Sequence, residues 1–269
     1  MNKMLYSFSD WLLANEEALP KGSGLFSTIH IVLMILMGTC IVAFYFLFKK
    51  HKQFALKLTT VLCYIMMISR LFRMILLWTT ATNSFVEILP WHLCHVMAFV
   101  FPAFYLTKTK KFFLPILGVT FYGGILTFIF GDYYAFEIFT FLDIESILLH
   151  FMMIAVSVAC FATGYFKIKI RDSWQIPIML VLLVGHASLG NYFCKNQNFL
   201  YLRENGLPFN LFPNFSHIYT YFVLVLLLLF LTYMPIIVLH FIRKPKSAHP
   251  HKHELSLEDD DTISEHALR

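Results

Sequence analysis

The sequence predicts an all-α, polytopic membrane protein: a seven-helix transmembrane bundle with its N-terminus outside and its C-terminus cytoplasmic. Three observations carry that prediction. Of 269 residues, 58% are hydrophobic and only 14% charged, against about half and a quarter in soluble domains. Seven apolar runs reach the roughly 20 residues that a spanning helix needs. Lysine and arginine cluster in alternate connections between those runs, which by the positive-inside rule sets the orientation. The formal charge of +5 does not point to nucleic acid, because most of the basic residues lie in these short clusters. The five cysteines form no disulfide framework, being odd in number, with Cys40, Cys63 and Cys160 deep inside apolar runs.

The predicted spans are 26–48, 54–78, 88–106, 112–130, 143–166, 174–195 and 215–242. Before the first lies SDWLLANEEAL, a short amphipathic stretch that Ser9 or Asp10 can cap. The first span is too long for a signal-peptide core and has no small-residue cleavage pattern. Lys49, Lys50 and Lys52 separate it from the second, which carries Arg70 and Arg73 near its end. TTATNSFVE, bare of lysine and arginine, leads to the third span, entered through LPWHLCHVMAF and containing Pro102. Lys108, Lys110 and Lys111 follow, and the fourth span holds Pro115. The acidic GDYYAFEIFTFLD opens the fifth, with Asp143, Glu145, Ser146 and His150 in its first turns. Lys167, Lys169 and Arg171 precede the sixth, which carries His186, Ser188 and Asn191. The loop 196–214 keeps Arg203, His217 opens the seventh span, and Arg243, Lys244 and Lys246 end it. Residues 1–24 then form an extracytoplasmic segment, 25–243 the membrane domain and 244–269 a disordered cytoplasmic tail. That tail is His-rich and then acidic, a composition able to bind metal. The expected location is the cell membrane, multi-pass.

With this orientation the membrane-embedded polar residues fall into one layer of the outer leaflet. It includes His30, Arg70, Arg73, His92, Cys94, His95, Glu145, His150, His186, Asn191 and His217. Snorkelling explains single charges near helix ends. It does not explain a cysteine, several histidines and an asparagine at one depth, so a polar cavity open to the outside is expected.

Arg70 and Arg73 stand one turn apart on one helix face. Two guanidinium forks suit a phosphate or carboxylate, for which a phospholipid headgroup is the nearest source; pairing with Glu145 or Asp143 is the equal alternative. Cys94 is the candidate nucleophile, and a thiolate needs a base or cation close by. His95 and His92 point away from it around their own helix, so His150, at matching predicted depth on the fifth span, is the better base. Asn191 can orient that imidazole or donate to an oxyanion. A disulfide to Cys194 would instead make Cys94 structural, but a depth difference of ~7 Å disfavours it.

Together these residues make a recognisable set. HLC at 92–94 after ILP resembles the LPLHLC-type segment of the YwaF-like bacterial integral membrane proteins, a family distantly related to a eukaryotic transmembrane phospholipid acyltransferase. FEIFTFLDIESILLHF, with His150, loosely matches that family's FPHFRFxQFFLSHG segment, and LGNYFCKNQNFLYLRENG its G-x-NYMFLxxKP segment. The resemblance implies a Cys–His acyl-transfer site on Cys94 and His150, with His92 and Asn191 nearby. Arg70, Arg73, His95 and His186 would then bind the lipid. The chain departs from the pattern in having Phe after His150 and two arginines in SRLFR. Two other classes stay open: a proton-coupled or small-molecule transporter, and a non-catalytic lipid or metal binder using His92 and His95 with His150. The polar layer stops halfway across the membrane, which weakens the transporter. No cofactor or metal is expected, membrane phospholipids are the expected partners, and nucleic acid is not.

Overall fold

The computed structural model describes residues 26–80, 88–130, 140–166 and 169–194, together with Leu12, Phe199, Leu226, Phe230 and Tyr233. Among these the fold is all-α, with six helices and no strand. They are α1 (Thr28–Lys50), α2 (Lys52–Thr80), α3 (Leu93–Leu106), α4 (Phe113–Phe130), α5 (Phe141–Thr163) and α6 (Gln175–Phe193), with a short 3-10 turn at Ile170–Asp172. Leu12, Leu226, Phe230 and Tyr233 are helical; the rest of the predicted seventh span, the amphipathic leader, His217 and the tail lie outside the described residues.

Four helices, α1, α2, α5 and α6, are long and apolar enough to cross a membrane. The third span differs most from expectation. Its helix starts at Leu93 rather than 88, because Pro90 in Leu89–Trp91 interrupts the run and the backbone closes a tight turn, Trp91 N–H donating to Leu89 O at 2.8 Å. The remaining 14 residues of α3 rise only ~21 Å, less than the ~30 Å of bilayer hydrocarbon. Non-helical backbone at such depth is tolerated only inside protein. Here Trp91 is buried against Ala187, Cys194 and Phe199, with Leu89 packed alongside.

Helix α5 is the axis of the bundle, packing against α1, α2 and α4. One stripe, Leu149, Met153, Val156 and Cys160, meets Met97 and Phe101 of α3 and Ile116 and Leu117 of α4. A second, Ile154, Val158 and Ala159, meets Met37 and Phe48 of α1 and Phe128 of α4. α4 and α5 can close up because Gly124 lacks a side chain: a Cβ there would stand 2.7 Å from Ile154 Cγ1 and 3.1 Å from the His150 carbonyl. Residues such as Ile35, Phe46, Ile68, Ile75, Val181 and Leu182 point outward, as lipid-facing helices require.

Long-range bonds show which helix ends lie together. His30, at the start of α1, bonds Phe128 O near the end of α4 at 2.8 Å. Arg70 and Arg73 of α2 reach the first turns of α5, and His186 of α6 bonds Pro90 O before α3 at 3.0 Å. At the other end Tyr105 Oη donates to Leu56 O at 3.1 Å, and Phe112 N–H to Gln175 Oε1 at 2.8 Å. Lys110 Nζ lies 3.8 Å from the Tyr165 ring centroid. Successive helices therefore alternate in direction, and the polar layer gathers at the end holding the starts of α1, α3 and α5.

Candidate functional site

At that end the polar residues divide by task. Three of them satisfy backbone groups that irregular chain would otherwise leave buried and unbonded. His30 Nδ1 accepts from Phe26 N–H at 2.8 Å, while Nε2 faces the Phe128 carbonyl; since a carbonyl only accepts, Nε2 carries the hydrogen. His186 Nε2 likewise donates to Pro90 O, next to the break before α3, and its ring lies 5.1 Å from that of Trp91. Asn191 grips both sides of Phe199: its amide donates to Phe199 O at 2.9 Å and accepts Phe199 N–H at 2.8 Å. Asn191 was expected to orient His150 or donate to an oxyanion, and His186 to touch substrate. Their hydrogen bonds instead hold the chain around Trp91 and Phe199. Gly190 completes this corner, because a Cβ would stand 2.9 Å from both rings.

A second group is built around Arg70, which is 2% exposed. Its Nη1 meets both oxygens of Glu145, at 3.1 and 2.9 Å. Arg73 Nη1 reaches the same Glu145 Oε2 at 3.1 Å and Leu142 O at 3.1 Å. Of the two acids expected as partners, Glu145 is the one used. Asp143 instead forms a capping box with Thr140, accepting from Thr140 N–H at 2.9 Å and from Thr140 Oγ1 at 2.6 Å. Thr140 fixes the start of α5 at Phe141 and so sets the position of Glu145.

Around this triad stand the candidates for chemistry. Cys94, His92, His95 and His150 all lie within electrostatic range of the Arg70 charge. Cys94 is the second residue of α3, and its sulfur lies beside the backbone N–H groups of Cys94 and His95. These first-turn amides have no helical acceptor and, with Arg70, supply positive potential at the sulfur. Cys94 is only partly buried and is not joined to Cys194 by a disulfide. His150 is buried, and its Nδ1 lies 2.6 Å from Ser146 O. The carbonyl can only accept, so Nδ1 carries the hydrogen and in the neutral ring Nε2 holds the lone pair. His92 occupies the N-cap position of α3 without a capping side-chain hydrogen bond, and its ring packs edge-on against His95 at 5.0 Å and Phe199 at 4.7 Å. Among the described residues, no three His, Cys, Asp or Glu side chains are placed to hold a metal.

Depth counting from helix ends does not explain this gathering. Cys94 is the second residue of its helix and His150 the tenth of its own, yet both lie in the field of one guanidinium. The late start of α3, behind Pro90 and Trp91, leaves Cys94 in its first turn, while His150 stands in the third turn of α5. A sequence model of a transmembrane protein family matches residues 25–236, which include all six helices and the whole cluster. The chain belongs to the TMEM164 family. No curated protein and no solved structure matches it. The match leaves out the amphipathic leader and the His-rich tail, so the polar cluster belongs to the part shared with the family. The Trp91–Phe199 corner was not foreseen; the one signal for it was Pro90 inside an apolar run.

Proposed function

We propose that this TMEM164-family chain is a membrane enzyme that moves a fatty acyl group between phospholipids through a thioester on Cys94. The observation that carries the reading is the setting of Cys94: a half-buried cysteine on the first turn of α3, whose sulfur takes the first-turn amides of Cys94 and His95 and feels the Arg70 charge. The resemblance of HLC and the His150 segment to the YwaF-like proteins points the same way. His150 serves as the base, its proton held on Nδ1 by Ser146 and its lone pair on Nε2.

In the first half-reaction Cys94 Sγ attacks the ester carbonyl of a donor lipid while His150 takes the thiol proton. The tetrahedral intermediate collapses, the ester C–O bond breaks, and His150 returns the proton to the departing lysolipid oxygen. In the second half His150 takes the proton of an acceptor hydroxyl, whose oxygen attacks the thioester. The C–S bond breaks, a new ester forms and the thiol is restored. No oxidant, reductant or cofactor is required.

The test offers purified protein a phospholipid with a clickable acyl chain and follows a hydroxylamine-labile label. Label is expected on the wild type and on Cys194→Ser, absent from Cys94→Ser and strongly reduced in His150→Ala. Label that survives Cys94→Ser defeats the assignment.

A further inference from the structure

We propose that Arg70 and Arg73 form an anion site beside Cys94 that takes the phosphate of the bound phospholipid. The charge count motivates it. Two guanidinium groups share one carboxylate, Glu145, and no other acid pairs with either arginine among the described residues. Asp143, the nearest acid in sequence, is turned to Thr140. Among the described residues the cluster therefore sets two positive charges against one negative, with Arg70 buried and Arg73 partly buried, and a buried charge without compensation is costly.

The hydrogen-bond count agrees with the charge count. Arg70 Nη1 is taken by Glu145, but Nη2 is buried and has no hydrogen-bond partner among the described residues. A fixed guanidinium with one nitrogen bound and the other unmet presents a directed donor, and phosphate oxygens are its best-matched acceptor. Glu145 thus positions the fork and offsets one of the two charges. Arg70 of α2 and Cys94 of α3 stand on packed neighbouring helices, so an anion held at Nη2 places its lipid on the side of the bundle that carries the thiol. The proposal deepens the acyl-transfer reading and relies on it for the source of the phosphate; the anion site itself needs no turnover.

The experiment compares binding of dioctanoyl phosphatidylcholine and dioctanoylglycerol, alike in their acyl chains, to purified protein in detergent. All proteins carry Cys94→Ser, so binding is read without transfer and failure of the acyl reading leaves this test intact. Phosphatidylcholine is expected to bind at least about tenfold more tightly than the neutral lipid. Arg70→Gln should remove the preference. Arg73→Gln should also weaken it, and this variant guards against misfolding because it leaves the Arg70–Glu145 pair whole. Displacement of the lipid by millimolar inorganic phosphate would assign the site to free phosphate and overturn the lipid source; no displacement supports it. No preference in the parent protein, or an equal preference in folded Arg70→Gln or Arg73→Gln, overturns the proposal.

Discussion

Glu145 and Asp143 are two residues apart in the same helical turn, yet the structure gives them unrelated roles. Asp143 closes a capping box at the helix start, whereas Glu145 is the single carboxylate between two arginines. Removing the charge at each position should therefore have different consequences. Glu145→Gln leaves two guanidinium groups facing a neutral amide in a buried setting, a loss of about 3–5 kcal/mol. Asp143→Asn leaves Thr140 able to cap and should cost about 1 kcal/mol or less. Denaturation in detergent, followed for both variants, checks the order. Equal losses would mean that the arginines do not depend on Glu145.

Between elements, adjacent glycines make the comparison sharper. Gly123 and Gly124 stand side by side on α4, and only Gly124 meets α5 closely. A Cβ at Gly123 would come no nearer than 4.0 Å to Met153 Cε. At Gly124 the added carbon meets the His150 carbonyl, which is backbone, and moving it means moving the helix that carries Glu145 and His150. Gly124→Ala should therefore lose about 1–3 kcal/mol and reduce Cys94 labelling. Gly123→Ala should be neutral or slightly stabilising, by up to ~1 kcal/mol. Melting midpoints of the two variants provide the check, and a larger drop for Gly123→Ala would contradict the packing.

Taken whole, the molecule alternates helix by helix, and every described bond of the Arg70 cluster falls at one end. The lysines at 49, 50, 52, 108, 110 and 111 lie at the other end. The positive-inside rule predicts that this second end faces the cytoplasm, and on that expectation the Cys94 cluster should open toward the outer leaflet. In a cysteine-depleted background, a cysteine at Ser84 should react with an impermeant thiol reagent on intact cells. One at Lys50 should react only after lysis. The opposite pattern would place the cluster, and any lipid it handles, in the inner leaflet.

The sequence by itself determined the class, six of the spans to within a few residues of their helices, and the list of polar residues from which a site had to be drawn. Those properties follow from composition and local periodicity, which each segment carries without reference to its neighbours. It left undecided which polar residues bond the backbone and which gather around Arg70. Only the tertiary structure separated His30, His186 and Asn191, bonded to peptide groups of other segments, from Cys94 and His150 in the field of Arg70. It also chose Glu145 over Asp143 and set the depth of α3. The physical reason is that a buried polar side chain is defined by its partner, and here the partners come from chain that is remote in sequence or irregular in backbone. Pro90 and Trp91 make that irregular chain, and hydropathy averages over it.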